Sequence, residues 1–401
     1  MTDLDALRDD ARALLLEMAE LRHALHRTPE LGLDLPLTQR LVLDALAGLG
    51  LEVTVGEGLS SVVAVLRGAK PGPAVLLRGD MDALPVHEDT GEEFTSEHEG
   101  RMHACGHDMH IAGLVGAARL LAARRDTLAG DVVFMFQPGE EGDGGAERMI
   151  QQGVLDASGQ RVAAAYGVHV SSALVPLGVV LARPGTLMAA PDHVVITVQG
   201  RGGHGSAPQR ALDPVPVAAQ IVLALQTMVT RRFDVFDPVV VTVGAMRAGT
   251  ANNIIPESAT LEATVRTFSQ ATWDAAPGFI AEVAEHTAAA FGLTATAEYR
   301  RGYPVTVNDA AETRRAERLT RGLFGAGAWA HMEHPLAGGE DFSYVLQEVP
   351  GAFVFVGATT PGLDPATAPY NHSPQARFHD DALVTSAALL AALALDRIAQ
   401  G

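Results

Sequence analysis

The chain has one cysteine, Cys105, in 401 residues. A lone cysteine excludes an intrachain disulfide framework and fits a reducing compartment. Positive charge is also scarce. Twenty-nine Lys and Arg stand against 48 Asp and Glu, a formal net charge of −19. Nucleic acid and anionic membranes attract basic surfaces, so neither is expected as a partner. No run of about 20 apolar residues suggests a membrane-spanning helix. The first ten residues are acidic and amphipathic, without the basic, apolar and small-residue order of a signal peptide. A cytoplasmic protein is the expectation. Internal repeats and low-complexity segments are lacking too. What is abundant is apolar content, 47% of residues, in a chain long enough for two domains.

The richest stretch is residues 78–110. It reads Arg78-Gly-Asp80-Met-Asp82-Ala-Leu-Pro85, then Met102-His103-Ala-Cys105-Gly-His107-Asp108-Met-His110. The preceding Pro73–Arg78 run is apolar, as in a buried strand that delivers carboxylates at its C-terminal end. Residues 111–123 have helical spacing. Ligands of α/β proteins sit in loops beyond the carboxyl ends of strands. Cys-x-His can place a thiolate and an imidazole at one metal ion. A buried apolar cysteine is the plain alternative, and the surrounding histidines and aspartates weigh against it.

Asp131–Gln137 reads as a central parallel strand and ends in Pro138-Gly-Glu140-Glu141-Gly. In such a loop one carboxylate can bind metal while its neighbour reaches the attacking water. A solvated turn of glycine and acids is the other reading of that stretch. Residues 163–170 form a further apolar strand with His169 near its end. His23 and His26 read as structural. A single helix is expected over 3–25, another over 38–49, and a closing amphipathic helix over 378–399. Between 193 and 300 the order is β-α-β-β-α-β, a ferredoxin-like unit. Its Gly200–Pro208 and Asn252–Pro256 segments read as irregular loops. Because α/β patterning resumes afterwards, this unit reads as an insertion. The expected divisions are 1–187, the insertion 188–302, and 303–401. The fold class is therefore α/β: a doubly wound mixed-sheet catalytic domain carrying an inserted ferredoxin-like lid and dimerisation domain.

These motifs, with His26-Arg-Thr-Pro-Glu-Leu-Gly, Gly203-His-Gly, Asn253-Ile-Ile-Pro, Gly338-Gly-Glu-Asp-Phe and Asn371-His-Ser-Pro, resemble the metal-dependent aminoacylase/carboxypeptidase family of amidohydrolases. The similar branch contains hippurate hydrolases, N-acyl-amino-acid amidohydrolases and auxin-conjugate hydrolases. The resemblance implies two divalent ions per chain (Zn, Mn, Co or Ni), held by Cys105 as the bridge with His107, Glu141, His169 and His372. It implies Glu140 as general base, His204 assisting the oxyanion, and Asn253, Arg266, Gly338 and Gly339 at the substrate. Where other branches have His-x-Asp, this chain has Asp80-Met-Asp82. Asp82, counted with the catalytic residues, is expected to orient a ligand. The implied activity is hydrolysis of N-acyl amino acids. The open sheet edge expected of the inserted unit, which pairing with a second copy would cover, makes a homodimer or dimer of dimers the expected assembly. Alternatives are a dipeptidase or metabolite-specific deacetylase of the same family and, in another class, an inert metal-binding assembly protein.

Overall fold

A computed structural model of the chain describes residues 3–400. Two compact units are present. One runs to Leu187 and resumes over Val307–His334 and from Asp341 onward; the other is Met188–Thr306 with Pro335–Glu340. The stretch 335–340, assigned from sequence to the closing segment of the first unit, thus packs with the second.

The first unit is built on an eight-stranded mixed sheet. Its spatial order is Glu52–Val55, Val62–Leu66, Ala129–Gln137, Lys70–Asp80, Val162–Ser171, Gly351–Gly357, Val180–Ala182 and Trp329–His331. The four central strands are mutually parallel. Val62–Leu66 and Val180–Ala182 flank them antiparallel. The central strands are buried in unbroken runs, as continuous apolar sequence requires of strands covered on both faces. Being parallel, they deliver Asp80, Gln137, Ser171 and Gly357 to one edge of the sheet.

Helix His107–Ala122 packs on this sheet against Ala382–Gln400. The latter was expected to be amphipathic, but its residues from Ala382 to Ala394 are all buried. A helix apolar on every side belongs inside a core. It also meets the length and hydropathy of a membrane span, yet 78% of its most apolar 18-residue window is buried within the protein. Close approach explains the small residues: a Cβ on Gly116 would lie 2.3 Å from Met18 Sδ and 3.0 Å from Ala387 Cβ. The helix expected over 3–25 is two helices, Leu4–Ala13 and Leu15–Arg27, broken at Leu14. The second continues through His26 to Arg27, beyond the expected end at residue 25.

That continuation buries a charged cluster. Asp108 accepts from Arg22 Nε at 3.1 Å and His26 Nδ1 at 2.8 Å, and His26 Nε2 lies 3.2 Å from Glu88. Burial lowers the His26 pKa, but Asp108 and Glu88 outweigh it and raise it to about 9. A raised folded-state pKa stabilises fully below the unfolded value, near 6.5, and the benefit is lost as pH climbs through about 9. The pH-dependent part is on the order of 3 kcal/mol. His26→Gln is therefore expected to lower the thermal midpoint markedly at pH 6 and much less at pH 10. Equal losses at both pH values would show that His26 carries no proton in the folded protein.

The second unit is a four-stranded antiparallel sheet in the order Val239–Ala248, Ser258–Thr267, Ala190–Gln199, Thr294–Arg300. Alternating burial along Ala190–Gln199 and Ser258–Thr267 turns Val194, Ile196, Leu261 and Val265 toward helices Pro214–Arg232 and Gln270–Ala290. This is the β-α-β-β-α-β arrangement expected from sequence.

Candidate metal centre

The C-terminal edge of the parallel strands gathers the chemistry. Asp80 ends one strand and Asp82 follows two residues later; Glu140 and Glu141 follow the strand Ala129–Gln137. His169 lies near the end of Val162–Ser171, and His107 opens the helix His107–Ala122. Gly106 before that helix has φ 85°, and a Cβ there would lie 2.5 Å from Val170 Cγ2. Only glycine suits this turn, which lets Cys105 and His107 face one point.

The five expected metal ligands converge. Cys105 Sγ lies 3.4 Å from His169 Nε2 and 3.2 Å from His372 Nε2. Glu141 Oε1 is 3.3 Å from His372 Nε2 and 3.9 Å from His107 Nε2. Cys105 belongs both to a group with His107 and His169 and to one with Glu141 and His372. Glu140 groups with His107 and Glu141. Both His107 ring nitrogens and Glu141 Oε1 are buried without a hydrogen-bond partner. Buried polar atoms are normally satisfied. Orphaned nitrogen and oxygen beside a thiol and two further imidazoles fit divalent cations such as Zn, Mn, Co or Ni.

Electrostatics agree. Burial pushes the Cys105 thiol up, and the neighbouring Glu141 charge adds to this. Cys105 and Glu141, whose sulfur and oxygen lie 3.2 and 3.3 Å from the ring, raise His372 to about 10. Burial opposes charge on His107, but Asp80, Asp82 and Cys105 together raise it well above its ordinary value. Protons thus balance the cluster where cations would otherwise do so, and metal uptake releases them.

Hydrogen bonds also assign ring tautomers. His169 Nδ1 donates to Val170 O at 2.7 Å, which leaves the Nε2 lone pair facing Cys105. The Val170 N–H donates to His110 Nε2 at 2.8 Å, so His110 carries its proton on Nδ1 and donates to Asp80. With both nitrogens engaged, His110 is no ligand. Asp80 further accepts from the buried Arg78 at 2.7 Å. Sequence reasoning quoted Arg78, Asp80 and His110 as motif members without giving them these partners.

Asp82, counted from sequence among the catalytic residues, accepts the N–H groups of Glu140 at 2.9 Å and Glu141 at 3.0 Å, one on each oxygen. Its Oδ1 is 3.6 Å from His107 Nδ1. Its carboxylate therefore holds the backbone of the acidic loop and lies beside His107.

Within the second unit, the expected loops contain a short ladder: Gly203–His204 pairs with Ile254–Ile255. The Gly205 N–H donates to Asn253 O at 2.8 Å, so His204 and Asn253 share one substructure. His204 Nδ1 accepts the Ser206 N–H at 3.1 Å, which puts the ring proton on Nε2 as a donor. Arg266 Nε donates to Ala337 O at 2.9 Å and Nη1 to Val265 O at 3.0 Å. Gly338 and Gly339 have packing reasons of their own. A Cβ on Gly339 would lie 2.2 Å from Pro191 Cγ, and one on Gly338 3.3 Å from Met188 Cε.

A mixed α/β sheet whose strand ends hold thiol, imidazole and carboxylate around buried orphan atoms, with a second carboxylate beside them, defines a metal-dependent hydrolase. The family described as Peptidase family M20/M25/M40 matches residues 76–396, and the chain belongs to it. Thermostable carboxypeptidase 1 of Saccharolobus solfataricus is 37% identical over 358 residues, covering 88% of this chain and 89% of that protein. The N-acetyl-L-cysteine deacetylase of Bacillus subtilis is 35% identical over 364 residues, covering 88% and 85%. The crystal structure of a dinuclear metal-binding peptidase of the M20 family from Bacillus subtilis superposes with a TM-score of 0.84 at 32% identity, covering 97% of this chain and 99% of that one. The protein is a hydrolase of amide bonds that uses two divalent metal ions.

Proposed function

We propose that this protein hydrolyses N-acyl amino acids, hippurate-like or N-acetyl, at the amide bond. The carrying observation is that Cys105, His107, Glu141, His169 and His372 converge with a second carboxylate, Glu140, beside them. A purely structural metal site needs no such base, which weighs against an inert assembly protein. These five residues would hold two divalent cations, which when bound would polarise the carbonyl and lower the pKa of a water.

Glu140 accepts the proton of the attacking water and delivers it to the leaving amine nitrogen. Asp82 holds the backbone of Glu140 and Glu141 together, so that the two adjacent side chains keep separate tasks. His204, with its proton on Nε2, donates to the developing oxyanion. Asn253 and Arg266 bind the substrate carboxylate, with Gly338 and Gly339 beside it. The Arg266 Nε and Nη1 groups are engaged within their own unit, which pre-orients the guanidinium.

A dipeptidase or carboxypeptidase activity is the second reading, favoured by the identity to a carboxypeptidase. A panel of N-acetyl, N-benzoyl and indole-acetyl amino acids, dipeptides and their carboxamide-capped analogues separates the two. Acyl amino acids with a free α-carboxylate are expected to turn over fastest, and preferential cleavage of dipeptides would replace the first reading with the second. Equal cleavage of capped and uncapped substrates would remove carboxylate recognition. Arg266→Gln is expected to raise KM for the best substrate by about 10- to 100-fold, the worth of a hydrogen bond to a charged group. An unchanged KM would take Arg266 out of the substrate site.

The same proposal includes a cytoplasmic homodimer or dimer of dimers. The edge strand Val239–Ala248 leaves one side unpaired and exposes Val240 and Met246, and exposed edges are usually paired or covered. Light scattering of the purified chain is expected to give a dimer or tetramer mass; a monomer would contradict this.

A further inference from the structure

The loop that carries His372 contains a second residue whose side chain ties the site together. Asn371 Nδ2 donates to the carbonyl oxygens of Cys105 and Val170, each at 3.0 Å. Its Oδ1 accepts from the Ser172 N–H at 3.0 Å and the Ser172 hydroxyl at 3.1 Å. An Asn amide has two donors and an acceptor oxygen with two lone pairs; here both donors are used, the oxygen takes the Ser172 N–H, and the single Ser172 hydroxyl proton is shared between Asn371 Oδ1 and Pro369 O at 2.8 Å. Three chain segments meet at this one amide: the turn bearing Cys105, the strand end bearing His169, and the loop bearing His372.

The neighbouring backbone shows why such a tie is needed. His372 has φ 71°, one of two non-glycine residues in the left-handed region among the described residues. Side chains rarely adopt that conformation, and it persists where the surroundings over-determine it. Here the His372 N–H donates to Ala104 O at 2.8 Å, next to the Cys105 carbonyl that Asn371 holds. The Val170 carbonyl that receives Asn371 also receives His169 Nδ1. One amide therefore acts on the backbone beside three of the five metal-binding side chains, and on the acceptor that orients one of their rings.

We propose that Asn371 is a positioning residue of the metal centre: its side-chain amide sets the spacing of Cys105, His169 and His372 and so the affinity for the metal ions. The inference rests on those three residues being ligands. It makes no claim that Asn371 touches metal or substrate.

Asn371→Asp is the sharpest test, because it keeps shape and the acceptor toward Ser172 while placing a carboxylate oxygen 3.0 Å from two carbonyl oxygens. Affinity of the full-length protein for Mn²⁺ and Zn²⁺, each alone, is measured by chelator competition, together with the thermal midpoint of the metal-free protein. Orienting groups behind ligands typically contribute 10- to 100-fold in metal affinity. The expected result is a loss of that size, an unchanged metal-free midpoint, and turnover restored by raised metal concentration. Ser172→Ala, which removes the hydroxyl shared between Asn371 Oδ1 and Pro369 O, is expected to weaken affinity in the same direction by less, and decides the matter if the Asp variant does not fold. Unchanged affinity in the variant that folds overturns the proposal, as does an affinity loss matched by collapse of the metal-free midpoint. His169→Ala serves as the control: if it too leaves metal binding intact, the ligand assignment has failed, whereas loss in His169→Ala without loss in Asn371→Asp removes only the role of Asn371.

Discussion

Glu140→Gln is expected to keep its metal and to lose about 10²- to 10⁴-fold in turnover, the usual contribution of a general base. Glutamine preserves the size of the side chain, and the Glu140 N–H that Asp82 accepts belongs to the backbone, so the loop geometry survives. Glu141 is the carboxylate that lies 3.3 Å from His372 and, with Cys105, completes a ligand group without Glu140. The substitution therefore removes proton transfer and leaves the binding set. Elemental analysis of the purified variant, alongside kcat on the best acyl amino acid, separates the two. A variant that loses metal in proportion to activity would exchange the roles of Glu140 and Glu141.

Cys105→Ser is expected to lower occupancy of both metal ions together, by at least the roughly 10- to 100-fold that even orienting groups contribute. Cys105 is the member common to the group with His107 and His169 and the group with Glu141 and His372. A thiolate shared by both groups would serve two cations at once, and a serine hydroxyl does not ionise to replace it. Cys105 is 7% exposed in the core, so a serine fits without strain and the fold should persist. Metal content per chain across a range of added Mn²⁺ or Zn²⁺ is the measurement. Loss of one ion with the other retained would make Cys105 a terminal ligand.

Much of this arrangement was legible locally. Period-two and apolar runs marked the central strands, and the β-α-β-β-α-β order marked the second unit, because side-chain periodicity is imposed by the backbone itself. The residues that converge at the strand ends were in part legible as motifs: a thiol and an imidazole two apart, two adjacent acids after a buried strand, and a histidine near a strand end, with His372 indicated by the family resemblance. Where local reading went astray, packing had outvoted it. The closing helix is apolar all round, and its burial against a glycine-bearing neighbour depends on residues far along the chain. The helical continuation through His26 goes with a buried acid, Asp108, which accepts from that histidine across 82 residues.

By itself, then, the sequence determined the class of elements, the insertion of one α/β unit into another, and the identity of the donor atoms. Tertiary structure alone decided which polar atoms orient those donors. Asp82 reaches the backbone of Glu140 across 58 residues, His110 reaches Val170 across 60, and Asn371 reaches Ser172 across 199. The physical reason is that a hydrogen bond depends on separation in space and on which lone pair or proton faces its partner. Neither quantity has a period along the chain, so the donor residues and an orienting role for Asp82 were readable from motifs, while the partners of Asp82, His110 and Asn371 were not.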